Sequence, residues 1–238
     1  MILKIPVVLK SNIPEENIKR VLEEIENTED VDLILYEEGF LQGYDSMSFD
    51  YKEDVKSTLF ENSKEIVTIK KALSNKNFAL GFGYYENYKG GIYSSYMLMG
   101  TGGEEGFNYR SLSPKWKAER ACADYREGEK LYSYGVKDKE IGIVLGEDFL
   151  DEEILPQIVD MDAKVDLFYW SHSKEFADSQ KAESEYLKVS EILDKPVLLF
   201  TRIMEDGTSL KGRIQLMLHG KVIKDDMVDL GESYIMGL

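Results

Sequence analysis

Ile141-Gly142-Ile143-Val144-Leu145-Gly146-Glu147-Asp148 is the stretch on which the fold turns. Its first five residues form a short apolar run, the pattern of a strand covered on both faces. Gly146 and the two acids after it mark a turn at the strand's end. Working outward, a helix is expected near 152–160, then the strand Val165–Trp170. A further helix at about 179–193 places Ala182, Tyr186, Val189 and Leu193 inward, and Pro196–Ile203, Gly212–Leu218 and Lys221–Asp226 follow as strands. Upstream, residues 3–10 read as a strand. Pro14-Glu15-Glu16 opens a helix whose Ile18, Val21, Leu22 and Ile25 recur at helical spacing. Val31–Tyr36 is another covered strand, and a second helix is expected from about Val55 to Ser74. Phe78–Tyr85, Gly91–Met99 and Gly106–Leu112 read as successive strands with Gly-rich turns, followed by a charged loop over 113–130. Helices alternating with strands and hairpins define a layered α/β (α+β) domain with helices outside sheets. No linker divides it, so residues 1–238 are read as one domain.

The chain carries 45 acidic and 29 basic residues, a formal charge of −16 and a pI near 4.7. Such a field repels phosphate backbones and anionic lipid heads, so neither nucleic acid nor a membrane surface is an expected partner. The single cysteine, Cys122, rules out an internal disulfide framework and a thiolate-rich metal site. The N-terminus is apolar but short and lysine-interrupted, which reads as a strand rather than a signal peptide. No stretch reaches the roughly 18 consecutive apolar residues of a spanning helix. A cytoplasmic protein without a cofactor is expected. Tyr84, Tyr85, Tyr88, Tyr93 and Tyr96 alternate with polar residues at strand spacing, a pattern of half-buried strand positions rather than a base-stacking surface.

Several segments, in register and in the right order along nearly the whole chain, resemble the carbon–nitrogen hydrolase (nitrilase) superfamily. In Asp32-Leu33-Ile34-Leu35-Tyr36-Glu37-Glu38-Gly39-Phe40-Leu41-Gln42-Gly43-Tyr44, a buried strand ends at a glutamate with Gly-Tyr five and six residues later. That spacing selects Glu38, with Glu37 where the family has proline. The strand pair Gly91–Met99 and Asn108-Tyr109-Arg110-Ser111 resembles the family's approach to Tyr-Arg-Lys, and Glu119 falls eight residues on. Aligning Ile141-Gly142 and Asp148 on the third signature puts Gly146 at the reactive thiol and Glu147 at an aromatic position. Val165–His172 and the Gly212–Val222 hairpin resemble the strands that close the domain.

The resemblance implies a four-layer αββα sandwich, a homodimer, and a site built on Glu38 as general base, a lysine at 111 stabilising an oxyanion, Glu119 positioning substrate, and a thiol at 146. Ser111 and Gly146 stand at the last-named positions instead. Loss of a covalent nucleophile costs on the order of 10⁶-fold in turnover, so amide or nitrile hydrolysis is not expected. A substituted site of this kind suits a small-molecule-binding or regulatory protein. The alternative is a hydrolase with a rearranged site in which Glu38 activates water. Cys122 lies outside the elbow, and Lys115 and Lys117 read as loop lysines. A rebuilt Ser111/His172 pair requires the two to meet in space. Tyr44, Glu147, Asp148 and His172 complete the candidate binding residues. If Glu38, Glu119, Glu147 and Asp148 converge, the pocket is negative and suited to a small amine- or amide-bearing ligand or a hard cation. Otherwise Glu147 and Asp148 cap the following helix or bind backbone.

Overall fold

The computed structural model describes residues 1–43, 46–172, 179–205 and 209–238. Two six-stranded sheets lie between helices. The first runs β12 (Glu232–Gly237), β1 (Ile2–Val7), β2 (Leu33–Leu35), β3 (Ala79–Tyr88), β4 (Gly91–Met99), β5 (Glu105–Arg110). The second runs β11 (Lys221–Asp229), β10 (Ser209–Leu218), β9 (Val197–Glu205), β8 (Leu167–His172), β7 (Lys139–Leu145), β6 (Ser133–Val136). In each sheet the central strands are parallel, β1-β2-β3 and β7-β8-β9, and antiparallel pairing extends the edges, through hairpins everywhere except where β12 joins β1. Parallel pairing needs crossover helices, which explains why the covered apolar runs alternate with amphipathic segments.

Helix α1 (Pro14–Asn27) begins with proline in its first turn and buries Ile18, Val21 and Ile25. With α3 (Lys64–Leu73), which buries Ile66, Ile69 and Leu73, it covers the outer face of the first sheet around Ile34, Leu80 and Phe82. Helices α4 (Leu155–Asp162) and α5 (Ser179–Glu191) cover the second sheet, with Ile158, Tyr186 and Val189 among the core residues. Leu3, Ile5, Leu35, Tyr96, Ile143 and Tyr169 fill the contact between the sheets. This is the four-layer αββα sandwich expected from the sequence.

One helix is shorter than its periodicity predicts. After α2 (Tyr51–Asp54), residues 55–63 do not continue to α3. Leu59 instead donates its N–H to the Tyr85 carbonyl (3.0 Å) and accepts from Asn87 N–H (2.8 Å). Pairing with the sheet satisfies that backbone in place of helix bonds. Strands β6 and β12 were not expected. β12 pairs antiparallel along the whole of β1. No helix among the described residues is long and apolar enough to cross a membrane.

Candidate functional site

Beyond β2 the chain stays beside β3: Tyr36 donates its N–H to the Gly81 carbonyl (2.8 Å), and Gly83 to the Glu37 carbonyl (3.1 Å). The next residue, Glu38, crosses to the other sheet, its N–H donating to Ser171 Oγ at the end of β8 (2.7 Å). Its carboxylate accepts from Ser94 Oγ (3.1 Å), and the residue is 4% exposed. Burial pushes the Glu38 carboxyl up to about 8, the charges of Asp148 and Glu147 push the same way, and the Ser94 bond and Lys10 oppose them. A carboxyl with that affinity is protonated over much of the neutral range, ready to donate a hydrogen bond or to exchange a proton.

The elbow after β7 stands directly against this carboxyl. Gly146 has φ +46° and its carbonyl accepts from Trp170 Nε1 (2.8 Å). A Cβ placed on it lies 3.0 and 3.2 Å from the two Glu38 carboxyl oxygens. A side chain at 146 must therefore adopt the left-handed region, at about 1–3 kcal/mol, and displace Glu38 by a few tenths of an ångström. Gly146→Ala is expected to lower the melting temperature by about 2–10 °C. An unchanged melting temperature would show that the elbow relaxes without strain.

Asp148 is the second centre. It is fully buried, and Tyr109 and Ser111 donate their hydroxyls to its carboxylate, Ser111 at 2.8 Å. The backbone N–H groups of Leu112 (3.1 Å to either oxygen) and Ser113 (2.7 Å) complete the set. Burial raises the Asp148 carboxyl to about 6 against the pull of these four donors. Of the two readings of this residue, backbone binding is the one observed. Ser111, at the expected lysine position, serves Asp148 and brings no cation.

Other candidates are separated from this centre. Ser171 points between the sheets toward Glu38. Alternation along β8 turns Trp170 and His172 toward α5, where their rings stack at 5.6 Å. There His172 Nδ1 lies 3.0 Å from Tyr186 Oη, and Nε2 lies 3.5 Å from a Glu147 carboxyl oxygen. His172 thus partners Glu147 and Tyr186, while the Ser111 hydroxyl is committed to Asp148, so the two do not form a Ser/His pair. Glu119 and Cys122 are exposed on the loop after β5, and Glu119 does not join the buried carboxyls. Lys115 pairs with Asp151 at 3.8 Å, and Lys117 donates to the Tyr125 carbonyl (2.6 Å), so neither replaces the missing lysine. Tyr44 lies outside the described residues. Among the described residues, no group of three or more His, Cys, Asp or Glu is arranged to hold a metal ion.

A buried ion cluster beside Glu38 was not anticipated. Glu37 binds the Arg202 guanidinium of β9 and Lys10 Nζ (3.1 Å), and Lys10 also lies 3.5 Å from the Glu38 carbonyl oxygen. Burial pushes the Glu37 carboxyl up, but Arg202 and Lys10 outweigh it and hold the carboxyl below its usual range. The one sequence signal was Glu37 itself, a charge where a rigid proline was expected. Ser94 and Ser171 were also missed. Their signal was a hydroxyl at an inward position of an otherwise apolar strand.

The sequence matches no family model and no curated protein. Solved structures match over the whole fold. A CN-hydrolase superfamily protein from Xanthomonas campestris, with an arsenic adduct in its active site, has a TM-score of 0.75 at 15% identity, covering 99% of this chain and 90% of that one. An amidase of the nitrilase superfamily from Nesterenkonia has a TM-score of 0.73 at 12% identity, covering 100% and 90%. The glutamine-dependent NAD+ synthetase of Acinetobacter baumannii has a TM-score of 0.74 at 15% identity. This chain is covered to 99% there but spans only 45% of that longer protein. At these identities the likeness is one of fold, and the chain has the fold of the carbon–nitrogen hydrolase (nitrilase) superfamily.

Proposed function

We propose that the chain is a non-hydrolysing relative of the carbon–nitrogen hydrolases that recognises a small amine- or amide-bearing molecule at Glu38. The observation carrying this reading is the elbow: residue 146 has no side chain, and the Glu38 carboxyl lies against the space one would occupy. A covalent route needs a nucleophile there, and position 111 supplies a hydroxyl bound to Asp148 rather than an oxyanion-stabilising cation. Glu38 remains, a buried carboxyl with raised proton affinity. An ammonium group compensates such a carboxyl once it ionises, and an amide can accept from Glu38 while it is protonated. The raised affinity of Glu38 also favours one rival, a hydrolase in which Glu38 activates water, because a general base works best near the operating pH.

Ammonia release from a panel of aliphatic and aromatic amides and nitriles, followed with intact-mass spectra, separates the two. The expected result is neither turnover nor an acyl adduct, together with calorimetric binding of at least one diamine or amino-acid amide that Glu38→Ala abolishes. Turnover lost in Glu38→Ala would establish the hydrolase. Silence from every amine and amide would remove the binding reading.

A further inference from the structure

A cavity lies on the outer face of the first sheet, away from Glu38. Tyr109 and Ser111 point inward to Asp148, so alternation along β5 turns Arg110 outward. Its Nε and Nη2 donate to the buried Glu86 carboxylate (2.6 and 2.7 Å), two of the five guanidinium N–H donors, and both Nη1 hydrogens point away from that pair. The guanidinium is stacked over Tyr88 (4.1 Å) and Tyr93 (5.1 Å). Facing it is the 127–132 segment, brought close by Gly128, whose N–H donates to the Ser111 carbonyl (2.8 Å). A Cβ on Gly128 would meet the Arg110 carbonyl oxygen at 2.3 Å, so only glycine permits this approach. Between the two walls is a cleft of about 290 Å³ lined by Tyr88, Lys89, Tyr93, Arg110, Lys130 and Tyr132. That volume lies at the lower end of the roughly 300–1,000 Å³ range of small-molecule sites. Lys89 and Lys130 sit over the Tyr88 and Tyr132 rings at 4.9 and 4.8 Å. Of the two acids in the lining, Glu127 is paired with Lys117, and the other is Glu129.

We propose that this cleft binds a small organic oxyanion carried on a planar ring. Oriented guanidinium donors with two flanking ammonium groups receive a carboxylate or phosphate, and Tyr88, Tyr93 and Tyr132 in the lining offer aromatic contact to the ring, at their edges where a cation or Phe107 covers a face. A cation is a poorer fit, because Lys89, Arg110 and Lys130 set three positive charges around the cleft. The site faces away from Glu38, so it stands or falls independently of the function proposed there.

Calorimetric titration with adenosine monophosphate, benzoate, adenosine and inorganic phosphate tests it. At least one of the two ring-bearing anions is expected to bind, with adenosine and phosphate about tenfold weaker or more. The Lys89→Ala/Lys130→Ala double variant, at exposed positions, is expected to weaken binding about tenfold with a melting temperature near the parent's, and Tyr132→Ala, which also gives up its stack on Phe107 (5.3 Å), to weaken it as far with a lower melting temperature. Glu38→Gln should leave it unchanged. Binding of the monophosphate alone assigns a phosphate ligand, and of benzoate alone a carboxylate. Failure of both to bind at millimolar concentration, affinity no better than phosphate alone, or full affinity in the lysine and tyrosine variants would overturn the proposal.

Discussion

Raising the pH from about 4.5 to about 8 is expected to destabilise the protein, and Glu38→Gln is expected to remove most of that loss. The Glu38 carboxyl titrates near 8 in the folded chain, against 4.5 as its ordinary value. Between these limits the folded state keeps a proton that the unfolded state has released, so stability falls as pH rises. The contribution is fully present below the unfolded value and gone above the folded one. A displacement of that size corresponds to about 5 kcal/mol, and Asp148, raised from 3.8 to about 6, adds a loss of the same sign at lower pH. Glutamine keeps the shape and a neutral charge, so the variant keeps at pH 8 the part of the low-pH stability that Glu38 supplies and loses only what Asp148 and other groups give up. Urea midpoints of parent and variant across this range give the comparison, and the difference between them isolates Glu38 from other titrating groups. Parallel curves would mean that Glu38 ionises without penalty in the folded protein.

Asp148→Ala is expected to cost about 3–5 kcal/mol. Tyr109, Ser111 and the backbone of Leu112 and Ser113 all donate to this one carboxylate. Truncation leaves four buried donors without an acceptor, and a buried polar group left unsatisfied costs about 1–3 kcal/mol. Part of that is offset because Asp148 itself resists ionisation where it is buried. Asp148→Asn keeps one oxygen for the two backbone donors and should cost less than half as much. Chemical denaturation of both variants decides it. A loss under about 1 kcal/mol for alanine would show that water or a rearranged loop replaces the carboxylate. Tyr109, Ser111 and Asp148 therefore form a structural anchor joining the end of β5 to the elbow after β7, in which Ser111 stands at a position the resemblance assigned to catalysis and Asp148 at a candidate binding position.

Much was legible in the chain itself. Covered apolar runs alternating with amphipathic helices define layers, because a side-chain period reports which face is buried wherever the element forms. The spacing from Glu38 to Gly43-Tyr44 picked out the one carboxyl at the centre of the site. The absence of a thiol at Gly146 is a property of composition that no folding can change. The rest depended on contacts between segments distant in sequence. Leu59 left its helix because β3 offered hydrogen bonds, and Glu119 stayed in solvent because its loop lies outside the buried cluster. Lys10, Glu37 and Arg202, separated by up to 192 positions, met only when two sheets packed together. Whether Asp148 lined a cavity or held backbone, and which face of β8 carried His172, turned on register and on donors supplied by other strands. Local sequence encodes propensity and periodicity, whereas burial of charge and the pairing of polar groups are set by whatever the folded chain places beside them.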